Sequence, residues 1–294
     1  MLQYNPPSVH LLRRRFVTAA IIFNGPSAAM TPPPFRTALE TLTYRNGFWM
    51  TALPEPGLLT GQDLDALGAE FRRRHRCLIV REALAKPILE GLLAALPALR
   101  PEVHRNYLPG HKKGGSISRF QLDRLAPVFG ELYRSAAFTR CLEQITGERL
   151  LPCPAGDPHT YALYYYTEEG DHIGWHYDNS YYRGRRYTVL IGLVERSQSR
   201  LEYQLDRPKR AKHEREIHSV ATDPGTLVVF DGDGLYHRIT PLGRGEERIA
   251  LTLEYVTDPR MSPVWRFVSN MKDGIAYFGF AAAFGGGKRP RTGQ

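Results

Sequence analysis

"WHYDNSYY", residues 175–182, sets an imidazole and a carboxylate two positions apart in a tyrosine-rich run. In an extended strand alternate side chains share a face, so His176 and Asp178 point to the same side. A nitrogen donor beside an oxygen donor suits a metal ion, provided a third ligand arrives from elsewhere. The triplet alone is weak, because a His resting near an Asp on a surface or in a core accounts for it as well. The surroundings carry more. After Pro158 the chain passes into short β-rich runs, "TYALYYYT", "DHIGWHYD", "RYTVLIGLVE", "REIHSVAT", "GTLVVFDG" and "RIALTLEYV", split by Gly, Pro and charged turns. Closely spaced short strands predict a sandwich or barrel.

A third ligand is available in His237, which follows a buried strand and a turn built on Gly232 and Gly234. Further on, alternation puts Arg248, Ala250, Thr252 and Glu254 on one strand face and Ile249, Leu251 and Leu253 on the other. A fixed cation inside a barrel is expensive without a partner, and a bidentate acid would satisfy Arg248. Two His and one carboxylate leave three metal positions open on one side, the facial arrangement of non-haem Fe(II) oxygenases. A 2-oxo acid can take two of those positions and O2 the last.

These segments, "HYD" at 176–178, "GTLVVFDGDGLYHRITPL" at 225–242 and "RIALTLEY" at 248–255, resemble the Fe(II)/2-oxoglutarate dioxygenase superfamily in its prolyl-4-hydroxylase-like branch. The resemblance covers about residues 160–257. It implies a mostly β fold with flanking helices around a double-stranded β-helix, the jelly-roll of cupin-like proteins. It further implies that His176, Asp178 and His237 bind Fe(II) and that Arg248 holds the 5-carboxylate of 2-oxoglutarate. Tyr164 or Tyr166 would add a contact to that co-substrate, O2 would be the oxidant, and ascorbate would serve as reductant. In related radical halogenases a Gly or Ala replaces the ligand carboxylate and chloride fills its place; Asp178 therefore favours hydroxylation. A looser likeness, in "HKKGGS", "WHYDN" and "MKDGIAYFGF", is to the hydroxylases and halogenases of free, cationic amino acids.

From that follows an expectation about substrate. Glu254 and Thr252 share the face of Arg248, and an ionised Glu in a barrel needs a partner. With Arg248 committed to 2-oxoglutarate, a substrate ammonium or guanidinium would supply it, Asn179 adding a polar contact. Lys113 or His111 could close over a substrate carboxylate. The plainer alternative is that Glu254 pairs with a neighbouring Arg and serves the fold. Two further rivals stand beside hydroxylation of a small molecule: a peptidyl or protein prolyl hydroxylase, and a non-catalytic metal-binding sensor on the same barrel.

The chain has 294 residues, enough for a sizeable core, and a net charge of +9. The excess lies in Arg13–Arg15, in Arg72–Arg76 and in Arg207–Arg215. Without a groove-reading or base-stacking motif, such clusters read as solvated surface rather than a nucleic-acid site. No apolar run reaches the length of a membrane span. Cys77, Cys141 and Cys153 are too few for a disulfide framework, which points to a reducing, cytoplasmic setting. The run Phe16–Phe23 imitates a signal peptide but is short, and a leader or a start at Met30 is the simpler reading. The expected organisation is a poorly ordered arm at 1–55, a helical support region with one or two strands at 56–157, the β core at 158–270 and a tail at 271–294. Within the support region "HRNYLPGHKKGGSISRF" reads as a glycine-broken loop. Oligomeric state is left open.

Overall fold

The computed structural model describes residues 42–45, 48–51, 59, 61–157, 160–205 and 216–260. It divides at Met50 into two compact units. The first holds a two-stranded sheet of β1 (Leu42–Arg45) and β2 (Phe48–Thr51). The rest of the expected arm, the tail, the 207–215 cluster and the "MKDGIAYFGF" run lie outside the described residues.

The second unit opens with α1 (Leu64–Arg73), capped by the Asp63 side chain on the Asp65 and Ala66 N–H groups. There follow β3 (Cys77–Val80), α2 (Lys86–Leu99), β4 (His104–Leu108) and β5 (Lys112–Ser118). Pro87 stands in the first turn of α2, where a missing N–H does no harm. Next come α3 (Arg119–Leu125), α4 (Val128–Arg134), α5 (Ala136–Thr146) and β6 (Leu151–Pro152). The remaining strands are β7 (Tyr161–Tyr166), β8 (His172–His176), β9 (Arg186–Arg196), β10 (Leu201–Gln204), β11 (His218–Val220), β12 (Leu227–Asp231), β13 (Tyr236–Ile239) and β14 (Glu247–Val256).

Twelve strands form one antiparallel sheet in the order β11-β10-β13-β8-β5-β7-β14-β9-β12-β3, with β4 beside β5 and β6 beside β14. Curled on itself, it is a jelly-roll core with helices on one side. Alternation sorts the side chains of the long strands. Ile249, Leu251, Leu253 and Tyr255 pack in one cluster with Ile88 and Leu92 of α2, Phe129 of α4 and Phe138 of α5. Residues of opposite parity, among them Tyr166, Leu190 and Ala250, join Ile173, Phe230 and Ile239 on the inner side.

The support region differs from expectation. Four strands, not one or two, fall between residues 56 and 157 among the described residues, and all four belong to the barrel sheet. The presumed loop is the hairpin β4–β5. Gly110 makes the turn with a φ of +72°, whereas Gly114 and Gly115 serve packing: a Cβ on Gly115 would lie 2.4 Å from Val103 Cγ1, and one on Gly114 would touch the Tyr166 ring. The hairpin is fastened by Arg105, whose two Nη atoms donate to the buried Asp171 carboxylate at 2.8 and 2.7 Å.

Candidate active site

His176 ends β8 and His237 lies directly opposite it on β13, so the two rings meet with centroids 4.2 Å apart. Asp178 follows two residues beyond the strand end. Its Oδ1 is 3.4 Å from His176 Nε2 and its Oδ2 is 3.8 Å from His237 Nε2. One donor atom from each of the three residues falls within 4.8 Å of the other two. Both imidazoles are oriented alike: Nδ1 of His176 bonds the Gly174 carbonyl at 2.8 Å and Nδ1 of His237 bonds the Leu235 carbonyl at 3.1 Å. A carbonyl only accepts, so each Nδ1 carries the proton and each Nε2 keeps its lone pair for a metal.

Electrostatics agree with that use. Burial and the neighbouring His176 push His237 down to about 4, keeping it a neutral ligand. Burial also opposes charge on His176 and Asp178, but the attraction between an imidazolium and the carboxylate outweighs it, and a metal cation would take the place of the proton on His176 Nε2. His176 is shifted up, and Asp178, which also feels His237 and Arg186, is held well below the usual carboxylate range. Two imidazoles and a carboxylate are a donor set that fits Fe(II).

The triad opens into a cavity of about 630 Å³. Arg248 forms part of its wall and is fully buried. Nη1 donates to Glu195 Oε2 at 3.2 Å, while Nε and Nη2 have no hydrogen-bond partner among the described residues. A buried guanidinium with two unmet nitrogens is costly, and an acid entering the cavity would satisfy it. Tyr166 lies opposite Arg248 in the ladder and Tyr164 opposite Ala250, and both tyrosines line the cavity. The arrangement fits 2-oxoglutarate held between a metal and Arg248.

The expected substrate residues divide. Thr252, Asn179 and His111 line the cavity. Glu254 lines it too, but its partner is internal: Arg186 Nε donates to Oε2 at 2.8 Å. The premise that Glu254 needs a substrate cation is thereby corrected in favour of the neighbouring-Arg alternative. Lys113 faces away, its Nζ donating to the Glu169 carbonyl at 2.7 Å beside Glu168. Because β5 continues through the supposed loop, parity turns Lys113 out and Lys112 in. Lys112 is 3% exposed, lines the cavity and sits 4.7 Å from the centre of the Tyr164 ring. Lys112, Arg186 and Thr188 are among the lining residues to which sequence reasoning assigned no firm role.

Comparison with known proteins places this geometry. A model of the 2OG-Fe(II) oxygenase superfamily matches residues 160–255, and a model described as Halogenase D matches residues 82–184. Residues 160–255 thus match the 2OG-Fe(II) oxygenase superfamily in sequence, which supports an Fe(II)/2-oxoglutarate-dependent enzyme. AviO1 from Streptomyces viridochromogenes is similar in fold, with a TM-score of 0.54 and 19% identity over 68% of this chain and 97% of that one. The α-ketoglutarate-dependent epimerase SnoN from nogalamycin biosynthesis gives 0.53 and 16% over 66% and 80%. EctD from S. alaskensis, solved with 2-oxoglutarate and 5-hydroxyectoine, gives 0.51 and 17% over 65% and 75%. No curated protein matches the chain in sequence. Among the described residues no helix is long and apolar enough to cross a membrane.

Proposed function

We propose that the protein hydroxylates an unactivated C–H bond of a small substrate, an amino acid or a metabolite derived from one. The observation that carries this reading is a single cavity containing both the His176–Asp178–His237 triad and a buried Arg248 with two unmet nitrogens. When bound, iron with 2-oxoglutarate and O2 supplies the oxidising chemistry, releasing succinate and CO2. The protein's share is placement and shielding. His176 and His237 present Nε2, Asp178 a carboxylate oxygen, and Arg248 the anchor for the far carboxylate, with Tyr164 and Tyr166 beside it. Leu190, Phe230 and Ile239 give the same cavity an apolar wall. Asp178 occupies the position that chloride would need, which favours oxygen transfer over halogenation.

The cavity is of the size that holds a small molecule. Thr252, Asn179 and His111 offer polar contacts to it, and Lys112 adds a nitrogen. Three free thiols, two of them buried, suit a reducing cytoplasm. Succinate release under Fe(II), ascorbate and 2-oxoglutarate, screened over free amino acids, peptides and oligonucleotides, tests the reading. Stimulation by a free amino acid supports it. Stimulation only by a proline-containing peptide would shift it to the peptidyl prolyl hydroxylase, and metal binding without any succinate to the sensor.

A further inference from the structure

Thr188, on β9, is 2% exposed and opposes Glu254 in the ladder with β14. Its Oγ1 lies 2.8 Å from Asp178 Oδ2 and 3.0 Å from Glu254 Oε2. A hydroxyl has one proton and can donate to one of these oxygens only. Glu254 Oε2 already receives Arg186 Nε at 2.8 Å, and the shorter of the two Thr188 contacts is to Asp178, so the Thr188 proton is assigned to Asp178. Asp178 needs such a tether. Both histidines stand on paired strands, whereas Asp178 lies past the end of β8, where no ladder fixes its side chain. Its backbone is seated against Gly232, where a Cβ would lie 2.8 Å from the Asp178 carbonyl oxygen.

We propose that Thr188 is a positioning residue: by donating to Oδ2 it holds Asp178 as a one-oxygen metal ligand, and the Glu254–Arg186 pair holds Thr188 in turn. The proposal rests on the metal-centre reading above. A carboxylate released from this tether can rotate to offer both oxygens, which would take up one of the positions the co-substrate and O2 require.

The test needs no turnover. Mn(II) is titrated by electron paramagnetic resonance into wild type, Thr188→Val, Thr188→Ser and His176→Ala, and the visible spectrum of each Co(II) form is recorded. Removing an outer partner of a metal ligand typically weakens metal binding about 10–100-fold, and that loss is expected for Thr188→Val. Thr188→Ser, which keeps the hydroxyl, is expected to retain wild-type affinity and the wild-type Co(II) spectrum, while Thr188→Val changes it. Should Val disturb the packing, Thr188→Ala against Thr188→Ser repeats the comparison in a smaller side chain. Hydroxyl-free variants that bind Mn(II) as wild type does, with an unchanged Co(II) spectrum, overturn the positioning role alone. Wild type that binds no better than His176→Ala overturns the metal centre and this role with it.

Discussion

Ile249, Leu251, Leu253 and Tyr255 project from one face of β14 into the helix-backed core, whereas Arg248, Ala250, Thr252 and Glu254 project from the other into the cavity. On the core face the polar atoms around Tyr255 find partners within the chain, although the buried Tyr165 hydroxyl beside Ile249 finds none among the described residues. Tyr255 Oη donates to the Tyr133 carbonyl at 2.8 Å, and Tyr133 Oη donates to the Glu254 carbonyl at 3.0 Å while accepting the Cys153 N–H at 2.9 Å. On the cavity face Arg248 keeps two buried nitrogens unmet. The same ten-residue strand thus closes one side for stability and leaves the other incomplete for a ligand. Substitutions on the two sides should therefore fail in different assays.

The largest effect belongs to the triad. His176→Ala, Asp178→Ala and His237→Ala should each bring succinate release to background, because each removes one of three protein ligands. Full turnover in any of them would make the cavity face an ordinary wall.

Arg248→Ala comes next. Removing one partner of a buried charge pair costs about 2–5 kcal/mol, or roughly thirty- to several-thousand-fold in 2-oxoglutarate affinity. Iron binding should change far less, and titrating the co-substrate against the variant checks both. An unchanged affinity would mean that the acid is held elsewhere.

Leu251→Ala, one face over, sharpens the contrast. Burial at this depth predicts a loss of about 2–5 kcal/mol in urea unfolding, with 2-oxoglutarate affinity of the folded protein unchanged. Thr252→Val should do the reverse, leaving the unfolding midpoint near wild type and altering KM for substrate.

The last effect is one of pH and concerns Lys112, whose pKa burial pushes down from 10.5 to about 7. Between about pH 7 and 10.5 the unfolded chain keeps a proton that the folded chain has released. Stability from this residue therefore rises with pH across that window, by at most about 1.4 kcal/mol per pH unit. Lys112→Met should flatten that part of the curve in urea melts run from pH 6 to 10. A wild-type curve already flat there would place the ammonium in a wetter site.

Much of this was legible from alternation. Parity along "RIALTLEYV" separated the residues of the core from those of the cavity, and the pattern of His176, Asp178 and His237 picked out three donor groups that the fold brings together. The same rule applied to "RYTVLIGLVE" puts Arg186, Thr188 and Leu190 on one face and Tyr187, Val189 and Ile191 on the other. Arg186 was hidden because it ends a run of surface-like arginines, and Thr188 because a lone threonine in a strand carries no chemical signature. Lys112 was hidden differently. Gly114 and Gly115 imitate a loop, so no parity was assigned to the lysines before them, though contact with Val103 and Tyr166 is what those glycines provide. Nothing local in sequence reports a contact of that kind.

Asp178 stands outside the ladders that hold the other two ligands. Over evolutionary time that makes the three positions unequal. Exchange of either histidine alters one of two facing strands and a ring packed against its neighbour, so change there carries a structural penalty. Residue 178 can vary without breaking a strand pair, and Gly232 leaves its backbone room. In the proposed metal centre, the off-strand position is thus the one the fold leaves easiest to mutate.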